Sequence, residues 1–302
     1  MQPEFSCPVV SCVLPHLSSL AIPARVQDVL AALFGLVFGS FLNVCIARLP
    51  RHESIVRPRS HCPQCLKLIP WYDNIPVLSY LALGAKCRFC RQRISPMYPI
   101  VEAFTACVFV LAVAETSSLL WLVKEIVFAM LMIVLIFTDF RDRIIPHAVT
   151  LLGIASGLGF SFLVPVNDSL MAWILRGSGF RLQGTVSSLI GALAGGAFGG
   201  GLLYAVAWAL KRVSNSAKEY LGFGDVMLML VVGVFWGIPL SYLTILLGSL
   251  AGTLVAVSFI ALNKSSRGYQ WPYGSFLGAA AIYCSLGGPA LLGAYMHWAG
   301  LR

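Results

Sequence analysis

Residues 226–263 read VMLMLVVGVFWGIPLSYLTILLGSLAGTLVAVSFIALN and contain no Asp, Glu, Lys or Arg. A helix needs roughly 20 mostly apolar residues to cross a bilayer. The run is long enough to cross twice, and Gly237-Ile238-Pro239 supplies a tight turn between two such crossings. Comparable runs lie on either side of it. Val29–Ala47, Ala148–Val166, Leu182–Leu210 and Gly268–Leu301 carry no charge. A run at about 97–118 tolerates Glu102 and Glu115 near its ends, and Ile126–Thr138 follows Lys124 and Glu125. Together these predict about eight transmembrane helices.

Composition points the same way. Of 302 residues, 58% are apolar and 11% charged, and the mean hydropathy is +0.84. A soluble domain carries about 25% charged residues, so this chain has too few to cover a water-facing surface. The 28 glycines suit close helix packing in lipid. A secreted soluble enzyme, a disordered chain and a cytosolic binding module are poor readings.

The formal net charge is +9, which in a soluble protein suggests nucleic acid. Its placement gives another reason. The loop at 47–96 holds Arg48, Arg51, Arg57, Arg59, Lys67, Lys86, Arg88, Arg91 and Arg93. Alternate loops add Arg141, Arg143, Lys211, Arg212, Lys218, Lys264 and Arg267, whereas the other side receives Arg25, Lys124, Arg176, Arg181 and Arg302. Cytoplasmic loops are enriched in Lys and Arg, so the 47–96 loop is expected in the cytoplasm and both termini outside. No nucleic-acid partner is needed to explain the charge. Residues 1–28 lack a basic start, and Pro3, Pro8, Pro15 and Pro23 interrupt any apolar core of a signal peptide. They read as an irregular outer segment. Cys7 and Cys12 there are either a disulfide pair or two unrelated thiols.

The basic loop contains Cys62-Pro63-Gln64-Cys65 and Cys87-Arg88-Phe89-Cys90. Two thiolates at this spacing reach one metal from a tight knuckle, and two knuckles complete a closed tetrahedral site. Cys62, Cys65, Cys87 and Cys90 are therefore the metal-ligand candidates, with zinc the expected structural ion. Two redox disulfides are the competing reading, which fits a reducing compartment poorly. His61 is expected beside the site rather than as a ligand, and Cys45, Cys107 and Cys284 in the spans are expected to pack.

Two carboxylates stand at span ends on the same expected side: Asp139, and Asp225 in Gly222-Phe223-Gly224-Asp225. Two carboxyl groups sharing one proton can act as base and acid, which activates water against a peptide carbonyl without a covalent intermediate. The alternative is two helix-end acids, Asp225 as an N-cap and Asp139 paired with Arg141 or Arg143. Asp142 ranks behind Asp139. Asn43, Arg48 and Glu102, near helix ends, either bond loop backbone or line a substrate or cofactor site. His147 is assigned no chemistry, and no Ser–His–Asp or Cys–His set is evident.

In order, these elements resemble the type IV prepilin peptidases, the leader peptidase/N-methyltransferase family. Gly39-Ser40-Phe41-Leu42-Asn43-Val44-Cys45-Ile46-Ala47-Arg48-Leu49-Pro50 resembles the family's first-span signature. The paired CxxC loop follows, then Tyr98-Pro99-Ile100-Val101-Glu102 at the entry to the next span. Asp139, ahead of Pro146, matches the first catalytic aspartate, and the stretch from Gly222 to Asp225 matches the GxGD motif shared with presenilin-like intramembrane aspartyl proteases. The resemblance implies a bifunctional multi-pass enzyme of the bacterial inner membrane. It would cut the basic leader from type IV prepilins or type II secretion pseudopilins at the cytoplasmic face, with Asp139 and Asp225 holding the water. It would then methylate the new N-terminus from S-adenosylmethionine. Methylation rests on the resemblance alone, and no residue is assigned to the methyl donor.

The expected architecture is all-α and polytopic. Residues 1–28 form the outer segment. Residues 29–118 hold the first two helices and the metal-stabilised four-cysteine loop, associated with methyl transfer. Residues 119–302 form a six-helix aspartyl peptidase core. The loop is expected to lie against anionic lipid headgroups, leaving acids such as Glu53, Asp73, Asp142 or Glu219 to meet a basic leader. The alternatives are a polytopic transporter, which predicts an inverted repeat that the sequence does not show clearly, and an inactive assembly-platform protein, which the two acids disfavour.

Overall fold

The computed structural model describes residues 22–116, 118–164, 166, 184–213, 222–262 and 271–298, with side chains left out at 213 and 289–298. Among these residues the chain is helical, apart from turns and isolated β-bridges such as His61–Leu68 and Lys86–Arg93. It forms two compact units, dividing near residue 117. Cys7, Cys12, Lys218 and Glu219 lie outside the described residues.

The first unit contains α1 (Ala24–Arg48), α2 (Leu78–Ala82) and α3 (Met97–Glu115). α1 starts at Ala24 rather than Val29: Pro23, with φ −55° and ψ 139°, is the extended residue before the first turn, and its carbonyl accepts from the Val26 and Gln27 N–H groups. α1 and α3 pack closely where glycine removes a side chain. A Cβ added at Gly39 would lie 2.7 Å from the Glu102 Cα. The outer faces remain apolar and uncovered, with Val29, Leu33, Phe34 and Val37 all exposed. Apolar side chains without protein neighbours are what a helix in lipid presents.

The second unit contains α4 (Leu119–Asp142), α5 (His147–Leu163), α6 (Thr185–Val213), α7 (Phe223–Leu262) and α8 (Tyr273–Trp298). α7 breaks at Gly237, whose φ of 78° and ψ of −172° leave the helical region. Glycine adopts this backbone without a Cβ clash, and Pro239 removes a helical donor just beyond it. The chain reverses there. Twenty-four residues of straight helix from Asp225 to Ser249 would span about 36 Å. Yet the start of α8 touches both ends: the Tyr273 hydroxyl is 2.8 Å from Ser249 Oγ, and a Cβ on Gly274 would lie 2.9 Å from Asp225 Oδ1. The segments before and after Gly237, α7a and α7b, therefore run in opposite directions.

α4 begins before the expected Ile126 and carries Lys124 and Glu125 inside it, 1% and 2% exposed. They are accommodated by partners the run does not reveal. Ser285 Oγ of α8 donates to Glu125 Oε1 at 2.5 Å. The Lys124 ammonium sits 4.9 Å and 4.5 Å from the ring centres of Trp121 and Trp236, where the π faces attract a cation.

Five described helical segments are long and apolar enough to cross a membrane: Ala24–Arg51, Met97–Glu115, Leu119–Asp142, Thr185–Arg212 and Phe223–Leu262, with His147–Leu163 a shorter apolar helix.

Candidate active site

The four cysteines come together in the first unit. Their Sγ atoms all lie within 4.8 Å of one another, and Cys62 and Cys90 are 3.8 Å apart. Tetrahedral zinc with Zn–S of about 2.3 Å has S–S edges of about 3.8 Å, so the set fits such an ion. The two knuckles repeat one geometry. Leu66 N–H donates to Cys62 O and Cys62 N–H to Lys67 O; Arg91 N–H donates to Cys87 O and Cys87 N–H to Gln92 O. Leu66 and Arg91 occupy the same left-handed position, with φ of 57° and 59°. The bridges His61–Leu68 and Lys86–Arg93 close each turn. The His61 ring nitrogen Nδ1 contacts the Arg59 carbonyl at 3.1 Å, so that nitrogen is engaged by backbone.

The loop is held by residues whose role the sequence left open. Arg48 donates to the carbonyls of Ser54 at 2.9 Å and Pro58 at 2.8 Å. Glu102 Oε2 accepts the Val77 N–H at 2.8 Å, and Asn43 Nδ2 donates to Tyr98 O at 3.0 Å. All three bond backbone. Asp73 makes a two-pronged pair with Arg88, at 2.7 Å and 2.6 Å, and that guanidinium holds its carboxyl below the ordinary 3.8. Glu53 is exposed.

In the second unit the structure brings Asp139 and Asp225 together. Asp139 lies in the last turns of α4 and Asp225 in the first turn of α7; each is 7% exposed. A Cβ placed on Gly274 would lie 2.9 Å from Asp225 Oδ1 and 3.2 Å from Asp139 Cγ. Both carboxyl groups thus border one glycine at the start of α8. Ile145 fills the space beneath: its side chain is 2.8 Å from a Cβ on Gly224 and 2.9 Å from one on Gly274. Either glycine replaced by alanine pushes against it. The helix-end alternatives are only partly met. Arg141 pairs with Asp142, at 2.9 Å and 2.5 Å, rather than with Asp139, while Arg143 contributes favourable charge to Asp139. Asp225 accepts a hydrogen bond from the Gly222 backbone in its own turn. The His147 ring lies 6.1 Å from that of Phe223.

Sequence reasoning did not single out Gly274 and Ser275. Ser275 N–H donates to Asp139 Oδ2 at 2.7 Å, and Ser275 Oγ reaches the same oxygen at 3.0 Å. Trp271-Pro272-Tyr273-Gly274-Ser275 reads as a helix start and holds no residue type that advertises chemistry.

A buried pair of carboxyls beside a glycine wall, in an apolar helical unit, has the donor set of an aspartic peptidase. Comparison with known proteins identifies the group. The profile of the type IV leader peptidase family matches residues 126–257, and that of the bacterial peptidase A24 N-terminal domain matches residues 33–116. This chain belongs to the type IV leader peptidase family. It is a peptidase. Its relatives include three proteins named prepilin leader peptidase/N-methyltransferase. That of Myxococcus xanthus (strain DK1622) is 36% identical over 228 residues, 74% of this chain and 60% of its own length. That of Pseudomonas putida is 30% identical, covering 90% of this chain and 94% of the relative. That of Pseudomonas aeruginosa strain PAO1 is 30% identical, covering 96% and 100%. The chain therefore spans about 60% of the Myxococcus protein but essentially all of the two Pseudomonas leader peptidases. No solved structure matches it.

Proposed function

We propose that this chain cleaves the leader from type IV prepilins or type II secretion pseudopilins and then methylates the new N-terminus. The observation that carries the peptidase half is the convergence of Asp139 and Asp225 on Gly274. One carboxylate takes a proton from water as its oxygen attacks the scissile carbonyl carbon. The other, protonated, gives its proton to the carbonyl oxygen. Collapse breaks the C–N bond, and the departing amine takes a proton from the dyad. Glycine at 274 lets the start of α8 approach both carboxyls more closely than any side chain would allow.

The relatives' names support methyl transfer. S-adenosylmethionine would supply an electrophilic methyl group to the new amine. A cleft of about 280 Å³ beside the cysteine knuckles is lined by Arg48, Arg59, Ser60, Trp71 and Asn74, among others. Trp71 is 75% exposed. An indole face and an amide suit an adenine ring, the Arg59 guanidinium suits an amino-acid carboxylate, and we propose this cleft for the methyl donor. Zinc on Cys62, Cys65, Cys87 and Cys90 would hold the loop in which the cleft lies, substituting for a core the loop is too short to build.

In this reading the chain is a multi-pass protein of the bacterial inner membrane. The eight spans are α1, α3, α4, α5, α6, α7a, α7b and α8. The basic four-cysteine loop and the dyad face the cytoplasm. The loop meets anionic lipid through Arg51, Arg57, Arg59 and Lys67 among exposed apolar side chains such as Val56 and Leu66.

The test uses purified full-length protein in detergent with a model prepilin, following product mass with and without S-adenosylmethionine. Loss of the leader plus one methyl group supports the reading. An uncut substrate, across several prepilins and pseudopilins, overturns it. Isothermal titration with S-adenosylmethionine, wild type against Trp71→Ala, tests the cleft independently of turnover.

A further inference from the structure

We infer that Ser275 divides the labour of the dyad, holding Asp139 as the group that takes the proton from water and leaving Asp225 as the group that delivers one. This rests on the dyad reading above and goes beyond it by naming which aspartate does which. It also adds a positioning residue that lies outside the residues matched by the family profile, 126–257.

The two carboxyls are equally buried but differently served. Asp139 Oδ2 receives the Ser275 backbone N–H at 2.7 Å and lies 3.0 Å from the Ser275 hydroxyl. A backbone N–H can only donate, so this oxygen is a fixed acceptor, and an oxygen receiving two donors is the better seat for negative charge. Asp225 receives the backbone donor of Gly222 from its own turn. The charged and titratable neighbours agree with this division. Arg143, which ends α4, adds positive charge toward Asp139, while Asp225 from α7a brings a second carboxyl beside it. The Tyr273 hydroxyl of α8 is engaged with Ser249. His147 of α5 stands against Phe223.

The Ser275 hydroxyl suits both halves of the cycle. It has one proton and two acceptors in reach, Asp139 Oδ2 at 3.0 Å and the Ile136 carbonyl at 2.9 Å. While Asp139 is ionised, the hydroxyl donates to it. When Asp139 has taken the proton from water, the hydroxyl turns to Ile136 O, and no buried donor is left unmade. The water oxygen bonds to the carbonyl carbon, its proton passes to Asp139, and the proton of Asp225 passes to the carbonyl oxygen. As the C–N bond breaks, the amine takes the proton from Asp139, and Asp225 recovers its own from the forming carboxylic acid.

The experiment compares wild type, Ser275→Ala and Ser275→Thr as full-length proteins in detergent, recording kcat and KM for prepilin cleavage across pH. Ser275→Ala lowers kcat about tenfold, the scale of one hydrogen bond to a charged group, with KM little changed. The acid limb of its kcat profile moves to higher pH, because the base has lost a donor to its ionised form. Ser275→Thr restores both. A wild-type limb on the residual activity of Ser275→Ala, including activity reduced only by misfolding, overturns the inference, as does a loss that threonine does not restore. Asp139→Asn and Asp225→Asn run alongside: if either still cleaves, the dyad reading itself falls, and if both are inactive it stands whatever Ser275 does.

Discussion

The four-cysteine loop and the carboxyl pair are built by opposite routes. Each knuckle closes within a few residues: Cys62 and Lys67 exchange a backbone bond, and so do Cys87 and Gln92. The spacing is the structure. The carboxyls are brought together from two helices, and Ser275 reaches Asp139 across 136 positions of sequence. A local site tolerates change elsewhere and depends on its own four atoms. A distributed site depends on the packing of α4, α7 and α8, and glycine supplies the close approach.

That contrast is open to test. The largest effect is expected at the distributed site. Asp139→Asn and Asp225→Asn should each lower cleavage by at least about 10³-fold, toward the upper range for lost acid–base catalysis. Metal content of the loop should be unchanged, as read by elemental analysis of the purified protein. A loss of metal in these variants would show that the two regions are not separable.

The converse experiment is Cys62→Ser or Cys87→Ser. Bound metal should fall from one per chain toward none, and methylation should fall with it, while the cleavage rate stays within about threefold, because loss of a structural ion unfolds its own small domain. Equal loss of cleavage would break the comparison.

A smaller and purely structural effect is expected at the other polar site of α4. Ser285→Ala leaves Glu125 without its hydroxyl partner and should cost about 1–3 kcal/mol. Lys124→Met should cost less, because it removes a buried ammonium that makes no hydrogen bond among the described residues and is met by the Trp121 and Trp236 rings and the charge of Glu125. Thermal unfolding in detergent measures both, and the cleavage rate of the folded fraction should be unchanged. Glu125 is therefore a control: a buried carboxyl bonded by a serine of α8, like Asp139, but with a lysine rather than a second acid as its charged neighbour.

The smallest effect belongs to Asp73→Asn, an ion pair at the loop surface. The Arg88 guanidinium lowers the folded-state value of Asp73 below 3.8. Whatever stability the pair adds is thus present at neutral pH and lost only as the pH falls through that lowered value. Limited proteolysis of the loop at neutral pH should distinguish wild type from Asp73→Asn only slightly.

The legibility of these features follows their range. The helix break at Gly237 was readable because Gly-Ile-Pro interrupts a long apolar run, and both reasons for it are local. The start of α4 was not: Lys124 and Glu125 look like a helix end until Trp236 and Ser285 are in place. Asn43, Arg48 and Glu102 read equally as site or scaffold, and only their backbone partners separate the two. Gly274 and Ser275 were invisible because glycine and serine begin many helices, and nothing nearby marks this one as the wall of a carboxyl pair.

By itself the sequence determined the apolar helical class, the paired cysteine knuckles and the reversal in α7. Composition, CxxC spacing and a glycine beside a proline act within a few residues or over whole runs. Only the tertiary structure decided that Asp139 faces Asp225 across Gly274, and that Ser275 bonds one of them and not the other. Those contacts join separate helices, and their geometry is set by how closely the helices pack, which no spacing along the chain records.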